Sequence, residues 1–284
     1  MTAFMKRNLK VFFRDKTAVF FSLLAVLIII GLYVLFLGDV WSDSLSGLPG
    51  ARFLMDSWIM AGLLAVSSMT TTMGAFGIMV EDVSKKISKD FYTSPMKRSS
   101  LTAGYVVSAY IIGLIMTLIT VVLAEIYIVA NGGELMRFGT LCQVVGLILL
   151  STLSSTSLVF FIVSFFRSTT AFSTACSIIG TLIGFLTGIY LPVGQLPNAV
   201  QWVIKVFPIS HAAALLRQVM MAYPISITYA GAPAETAEEF KRFMGVILKF
   251  GDTTVSAYVS IAIIVLTAAV FFLLTILNIS RKRK

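Results

Sequence analysis

Six apolar runs, each longer than 20 residues, are the dominant feature of this 284-residue sequence. The runs occupy residues 18–38, 57–80, 103–130, 139–166, 170–191 and 254–279. A helix needs about 20 apolar residues to cross a bilayer, and in lipid its backbone must satisfy its own hydrogen bonds. Only 12% of the residues are charged, against about 25% in typical soluble domains. The sequence therefore predicts an all-α polytopic membrane protein with six transmembrane helices, forming a single domain over residues 1–284.

Basic residues concentrate in the segments that a cytoplasmic N-terminus would place on the inside of the membrane. These segments are residues 1–17, 81–98, Arg167 and 281–284. Most acidic residues fall in the other loops. The positive-inside rule then puts both termini in the cytoplasm, and we expect a multi-pass protein of a bacterial plasma membrane. The net charge of +9 is interpreted as a topology signal that also favours contact with anionic lipid, and not as a sign of a nucleic-acid partner.

Residues 1–17 are predicted to form an amphipathic helix at the cytoplasmic surface of the membrane. Apolar residues recur there at helical spacing, and basic residues take the opposite side. The apolar residues are Phe4, Met5, Leu9, Phe12 and Phe13. A basic amphipathic helix of this kind lies in the membrane interface. The alternative is a disordered basic arm that only sets the topology.

The longest cytoplasmic connection, residues 81–98, is predicted to contain a second amphipathic helix. Its apolar residues stand at i, i+4 and i+8, and acidic residues occupy its first turn, where they favour the positive end of the helix dipole. Pro95 would end this helix. Such a helix can dock on a soluble partner, and the alternative is a solvated loop. The residues that we expect to make the contact are Glu81, Asp82, Val83, Ile87 and Phe91.

Two features inside the apolar runs carry further predictions. Glu125 is an ionisable residue well inside a run, and intramembrane carboxylates are often functional. Its position near the outer end of the third run also allows the side chain to reach the membrane surface. In the fifth run, Gly180, Gly184 and Gly188 are spaced by four residues. This spacing predicts one stripe on which another helix, of this chain or of a second copy, can approach closely.

Prolines divide the apolar segment 192–222 into pieces that are too short to cross a bilayer. Helices over 198–207 and 209–221 would be roughly 15–20 Å long, against a hydrocarbon core of about 30 Å. We therefore predict an extracellular re-entrant helical hairpin between spans five and six. The polar residues 223–252, with a helix expected over 234–250, would form a small extracellular element packed on it. The marker residues of the hairpin are Pro192, Pro197, Trp202, Pro208 and Arg217.

The sequence contains no motif for nucleotide binding or catalysis. No G-x-x-x-x-G-K-[ST], H-E-x-x-H or G-x-S-x-G occurs, and His211 is the only histidine. Secondary transporters place ionisable residues at the membrane midplane, and these runs essentially lack them. Cys142 and Cys176 fall inside runs and are interpreted as packing residues. We predict no catalytic, cofactor-binding or metal-binding residue and no enzyme activity in this chain.

The segment 188–218 resembles the membrane subunits of ATP-binding-cassette exporters of the type-2 permease (ABC-2) family. The matching residues are Pro192, Leu196, Pro197, Trp202, Pro208 and Arg217. The N-terminal amphipathic helix resembles the family's connecting helix, and residues 81–98 resemble its coupling helix. In the latter, Thr93, Ser94 and Pro95 fit the closing pattern, whereas Lys85 and Lys86 replace the usual Arg-x-x-Gly near the start.

The resemblance implies a transmembrane subunit of an ATP-driven exporter that works by alternating access. A separate ABC ATPase subunit would bind ATP and magnesium and would dock on the coupling helix. A second permease copy, identical or not, would complete a path lined mainly by the second and fifth spans, with the hairpin at its outer mouth. The candidate outer gate consists of Phe185, Leu186 and Leu191.

The residues of the second and fifth spans bear on the cargo. Sugar polymers usually require aromatic side chains along the path, and these spans offer few. We therefore expect efflux of an amphipathic or lipophilic substrate, such as one of several drugs, a peptide or a lipid-like metabolite. The alternatives are export of lipid-linked polysaccharide or teichoic acid, and a non-transporting membrane scaffold or immunity protein.

Overall fold

The computed structural model describes residues 1–37, 45, 47–93, 96–251 and 253–281. Its helices are α1 (Thr2–Arg14), α2 (Lys16–Leu32, continued by a π-helical turn Tyr33–Leu37), α3 (Ala51–Ser84), α4 (Ile87–Thr93), α5 (Arg98–Ala130), α6 (Phe138–Val163), α7 (Thr169–Leu186), α8 (Asn198–Val206), α9 (Pro208–Met220), α10 (Ala222–Thr228), α11 (Ala234–Phe243) and α12 (Ala257–Arg281). A 3₁₀ turn, Val193–Gln195, precedes α8. Two short antiparallel strands, β1 (Lys249–Phe250) and β2 (Thr253–Thr254), pair Lys249 with Thr254.

Six helices in the described part of the chain are long and apolar enough to cross a membrane, which confirms the predicted fold class. They are α2 with part of its π-helical turn, α3, α5, α6, α7 and α12. Helix α3 has 34 residues and is about 51 Å long. Since the hydrocarbon core is about 30 Å thick, α3 must tilt or project beyond it.

Helix α3 is the centre of the bundle. Within its most apolar stretch 72% of the residues are buried, against 17% for α7. Helices α5, α6 and α9 pack around it. Its hydroxyl groups serve packing: Ser67 Oγ lies 2.9 Å from Thr120 Oγ1 of α5, and Thr71 Oγ1 donates to the Ser67 carbonyl at 2.6 Å. Small polar residues thus allow close helix contact here.

Several span boundaries differ from the sequence prediction; the third span, for example, begins at Arg98 and not at residue 103, and two other differences have a clear local cause. The second span begins at Ala51 and not at residue 57. Asp56 can lie inside the helix because Arg52, one turn earlier, donates to its carboxylate over 3.1 Å. The fifth span ends at Leu186 and not at residue 191, because a glycine turn described below stops it.

The proline-broken segment forms two short helices, as predicted to within one residue. Helices α8 and α9 meet at 86° across Phe207, and Pro208 takes the first position of α9, where its missing N–H costs nothing. By length and composition the pair is a broken span or a re-entrant loop, so its re-entrant course stays a prediction. The helix expected over 234–250 is shorter: α11 ends at Phe243, and Gly245, at φ +68°, turns the chain towards β1.

Candidate functional site

A buried carboxylate joins three helices at the end of the bundle that carries α1 and α4, here called the coupling end. The Arg7 guanidinium donates to both Asp82 oxygens, over 2.5 Å and 2.9 Å, and the Tyr105 hydroxyl donates to Asp82 Oδ2 over 2.7 Å. The Asp82 side chain is 3% exposed and that of Arg7 is 33% exposed. The hydrogen bond to Asp82 raises the pKa of Arg7 above its ordinary value. Helix α1 is therefore fastened to α3 and α5 by charge-assisted hydrogen bonds.

Helix α1 is confirmed as a helix, and one of its faces is packed into the protein. The Phe4 ring meets the Phe91 and Tyr105 rings edge-on at 5.0 Å and 4.9 Å. Asn8 is buried, and its Nδ2 donates to Ser108 Oγ over 3.2 Å. Sequence reasoning missed Asn8, although it stands between Phe4 and Phe12 on the same helical face.

The predicted coupling helix over residues 81–98 is broken in the structure, which corrects the sequence prediction. Helix α3 continues to Ser84, and the short α4 starts at Ile87. Between them Lys86 has φ 63°, and its N–H donates to the Val83 carbonyl over 3.2 Å. Val83 therefore does not share a continuous helical face with Ile87. The predicted stop at Pro95 lies outside the described residues.

The five predicted contact residues occupy different environments at the coupling end. Asp82 is buried and held by Arg7 and Tyr105, and the Phe91 ring packs on α1, with the Arg7 guanidinium 5.3 Å from its centre. Val83 and Ile87 are half-buried, and Glu81 is exposed and paired with Lys85. Between residues 81 and 90 the exposed charged residues are Glu81, Lys85, Lys86, Lys89 and Asp90, and Lys6 and Lys10 of α1 are exposed as well. A partner that docks here meets these charges and the edges of Val83 and Ile87.

Helix α7 presents an exposed face on which hydroxyl groups alternate with apolar side chains. This open face of α7 consists of Thr170, Ser173, Thr174, Ser177, Ile178, Thr181, Leu182 and Phe185. Thr174, Ser177 and Thr181 each donate to a carbonyl one turn earlier, over 3.0–3.1 Å. Apart from Tyr258 in its first turn, the exposed described residues of the span α12 are all apolar, as far as Leu277. The open face of α7 is therefore chemically different from a surface that meets lipid tails.

Helix α3 adds only a narrow strip beside this face. Thr70 and Gly77 are half-buried and Gly74 is exposed, whereas most of α3 is covered by its own chain. A Cβ at Gly77 would lie 3.7 Å from the Phe172 ring of α7. The second span thus offers much less free surface to a path than the sequence led us to expect.

A glycine turn ends α7 at the opposite end of the bundle, here called the hairpin end. Gly188 has φ +67°, its N–H donates to the Phe185 carbonyl, and the next N–H, of Ile189, donates to the Gly184 carbonyl, both over 3.0 Å. This pair of bonds is the Schellman arrangement, in which glycine avoids the steric cost of a left-handed residue. The predicted glycine stripe is therefore wrong for Gly188, which lies beyond the helix. The Tyr190 ring covers Gly184, so Gly180 is the one glycine of the three with open space where a Cβ would lie.

Arg217 of α9 is buried at the hairpin end with 1% of its surface exposed. Its guanidinium lies 4.6 Å from the centre of the Trp58 ring, and Nη2 is 3.4 Å from the Gly188 carbonyl oxygen. Trp58 in turn donates from Nε1 to the Met244 carbonyl over 2.8 Å. No described carboxylate pairs with Arg217, so cation–π contact and carbonyl oxygens hold its charge. This Arg217–Trp58 contact joins α9, α3, the end of α7 and the segment after α11.

The remaining hairpin residues lie before and within the two short helices. Pro192 is buried before the 3₁₀ turn, and Pro197 precedes α8. Trp202 is 58% exposed, with its ring 5.6 Å from that of Phe250. The candidate gate residues lie at the same end: Phe185 and Leu191 are exposed, and Leu186 is half-buried. Their gating role stays a prediction.

Two polar residues singled out in the sequence have structural partners. Glu125 Oε2 accepts a hydrogen bond from the backbone N–H of Met136 over 3.0 Å, so the carboxylate holds the loop at the hairpin end. His211 donates from Nε2 to the Lys205 carbonyl over 2.8 Å, and its Nδ1 lies 3.1 Å from Ser260 Oγ. His211 thereby ties α8 and α9 to α12.

Gly188→Ala is expected to lower the free energy of unfolding of the purified full-length chain by roughly 1–2 kcal/mol, because alanine in a left-handed conformation carries that steric cost. The matched change Gly180→Ala should leave stability equal or slightly higher, because this helical position has open space around it. Thermal unfolding in detergent measures both. Equal losses in the two variants would contradict the assigned turn.

The six spans, the helix docked across the coupling end and the broken helix pair at the hairpin end define a polytopic α-helical membrane protein. The sequence model of the ABC-2 family transporter protein matches residues 51–277, most of the chain. The chain therefore belongs to the ABC-2 family and is a transmembrane component of an ABC-2 transporter. Members of this family normally work with an ATPase partner. No individually curated protein matches the chain.

Proposed function

We propose that this chain, together with a second permease copy, forms the path of an ATP-driven exporter for an amphipathic or lipophilic substrate. Both termini and the coupling end would face the cytoplasm of a bacterial cell, and the hairpin end would face outwards. The path would open alternately to the two sides. The observation that carries the proposal is the open face of α7, which no described element of the chain covers.

The chemistry of the open face supports both the second copy and the class of substrate. Hydroxyl groups are costly against lipid unless they are satisfied, and here the helix's own carbonyls satisfy several of them. They remain able to accept a further hydrogen bond, because a hydroxyl oxygen has two lone pairs. With Ile178, Leu182 and Phe185 between them, they suit a cargo that is apolar with a few polar groups. A second copy facing α7 would enclose this surface.

The coupling end supports ATP hydrolysis by a separate subunit. The chain has no phosphate-binding loop motif, so ATP and magnesium would be bound by an ABC ATPase. Force applied to the exposed charges around Lys85 would reach α1, α3 and α5 together, because Arg7 and Tyr105 both hold Asp82. The chain itself would carry no catalytic residue.

Cysteine cross-linking tests the path. In a chain whose native cysteines, Cys142 and Cys176, are replaced by alanine, Thr181→Cys on α7 should form a cross-link between two permease copies in the reconstituted transporter. The cross-link should reduce substrate-stimulated ATP hydrolysis at least tenfold, because a locked path cannot alternate. The control, Leu266→Cys, places a cysteine at another exposed position, on α12, where we expect no cross-link.

Three results would overturn parts of this proposal. Cross-linking through Leu266→Cys and not through Thr181→Cys would exclude the open face of α7 as the contact between copies. Stimulation of ATP hydrolysis only by a lipid-linked sugar polymer would exclude the proposed substrate class. Absence of ATP-dependent transport for both cargo classes in an intact assembly with the ATPase would favour a scaffold.

A further inference from the structure

We propose that the cavity between α8, α11 and β1 binds the phosphate-bearing headgroup of an anionic amphiphile. The cavity has a volume of about 360 Å³, within the range of roughly 300–1,000 Å³ that is typical of small-molecule sites. It lies at the hairpin end, next to the 3₁₀ turn that follows α7. The proposal goes beyond export and does not require it.

Three cations from three different elements line this cavity: Lys205 of α8, Arg242 of α11 and Lys249 of β1. Glu239 is the single acidic residue among the lining residues. In the described part of the chain, none of the three cationic side chains takes part in an ion pair or a hydrogen bond. They are therefore available for a phosphate, to which an arginine can donate two hydrogen bonds at once.

The neighbouring Lys241, unlike these three cations, is paired with a carboxylate. Its Nζ lies 2.9 Å from Glu238 Oε1, one turn earlier on α11. Lys241 lines a different cavity. The charge around the 360 Å³ cavity is thus not a general property of α11, and Lys241 provides a matched control.

The floor of the cavity favours an amphiphile over free phosphate. Val193 and Leu248 are buried there, Ile247 is half-buried, and the exposed Phe243 ring forms part of the wall. Free phosphate would gain nothing from these surfaces, whereas an acyl chain or its glycerol attachment would bury apolar area against them. A cationic rim above an apolar floor matches a charged headgroup on an apolar tail.

Helix α8 places the cavity at the level of lipid headgroups. Trp202, Val203 and Val206 share one helical face and are all strongly exposed, which suits contact with the membrane. Tryptophan is enriched at membrane–water interfaces. Gln201 and Lys205, one turn apart, lie on the other side and line the cavity. An amphipathic helix lying in the interface would therefore hold its cavity-facing side beside the headgroups.

Lipid binding to the purified full-length chain in neutral detergent tests the proposal. The probe is short-chain phosphatidylglycerol, with phosphatidylcholine of the same chain length as the uncharged comparison, and bound lipid is counted by native mass spectrometry. The wild-type chain should show a phosphatidylglycerol component that the K205Q/R242Q/K249Q variant binds about a hundredfold more weakly, since each cation near a membrane surface contributes roughly a fivefold gain. Lipid bound elsewhere on the protein should be the same for both chains. The difference in bound lipid between them therefore reports binding at this cavity.

Two further variants make the result specific. K241Q removes the same kind of charge from α11 outside the cavity and should retain the wild-type affinity. K205R/R242K/K249R keeps the charges and should retain binding within a few-fold, which separates a loss of charge from a loss of fold. Equal binding of phosphatidylglycerol by the wild type and by the triple glutamine variant would overturn the proposal.

Two further experiments distinguish free phosphate, a resident membrane lipid and a transported lipid as the ligand of the cavity. Inorganic phosphate alone should not displace the bound lipid at millimolar concentration, and full displacement would assign the cavity to free phosphate and overturn the amphiphile. In the assembled transporter, lipid that stays bound during ATP turnover would be a resident membrane lipid. Lipid that is released by turnover would be a cargo on its way out, and both outcomes support a headgroup site.

Discussion

Asp82→Ala is expected to release α1 from the bundle and to lower the free energy of unfolding by about 2–3 kcal/mol. Breaking a fully buried ion pair from one side costs roughly 3–5 kcal/mol, and the smaller figure applies because the Arg7 side chain is 33% exposed and partly screened. The change also removes the acceptor of the Tyr105 hydroxyl. Chemical unfolding of the purified chain in detergent measures the stability, and protease accessibility of residues 1–14 reports the release of α1.

A double-mutant cycle isolates the Arg7–Asp82 pair from other effects of the substitution. Arg7→Ala and Asp82→Ala together should cost little more than Asp82→Ala alone, because the second change removes a partner that is already lost. Asp90→Ala, which changes an exposed carboxylate of the same region, should be close to neutral. Fully additive losses from Arg7 and Asp82 would show that the pair does not stabilise the coupling end.

Gly62→Leu is expected to displace the Arg217–Trp58 contact and to destabilise the chain by about 2–3 kcal/mol. Even a Cβ at this position would lie 2.9 Å from Arg217 Nη2 and 2.9 Å from Ile189 Cγ1, which is closer than van der Waals contact. Overpacking of a filled interior typically costs about 1–3 kcal/mol. Because Arg217 also approaches the Gly188 carbonyl, α9 should loosen from the end of α7. Unfolding in detergent and the protease sensitivity of residues 188–218 measure the two effects.

Gly146→Leu is the matched control for this prediction. Gly146 lies in the span α6, and a Cβ there has no neighbour within 4 Å. The same substitution should therefore change stability by less than about 0.5 kcal/mol. If Gly62→Leu were as harmless as Gly146→Leu, the side chains around Arg217 would have to be far more adaptable than their burial indicates.

The sequence was sufficient to predict the fold class and most of the helices. The length of an apolar run is a strict requirement for a span, so the six spans could be recognised without any knowledge of their neighbours. Proline acts locally too: Pro197 and Pro208 placed the ends of α8 and α9 to within a residue. The residues of the hairpin also pointed to the family that the match over 51–277 then established.

The contacts of the site could not be predicted, because they join distant parts of the chain. Arg7 and Asp82 are 75 residues apart, and Arg217 is 159 residues from Trp58. Periodicity within one helix identifies a face but not the helix that covers it. The break after Ser84 was missed for a different reason, because it contains neither glycine nor proline, and Lys86 adopts the left-handed conformation instead. In the fifth run the helix was predicted to continue to residue 191 but ends at Leu186. Glycines spaced four residues apart do not indicate where a helix ends.

One helix, α3, contains both Gly62, beside Arg217, and Asp82, which Arg7 holds. Twenty residues separate them without a proline, a distance of about 30 Å along the axis. A stiff rod of that length acts as a lever: a tilt of about 10° around one end carries the other end through about 5 Å. A small rotation of α3 imposed at the coupling end would therefore move the hairpin end by about the size of a side chain, together with the helices α5, α6 and α9 that pack around α3.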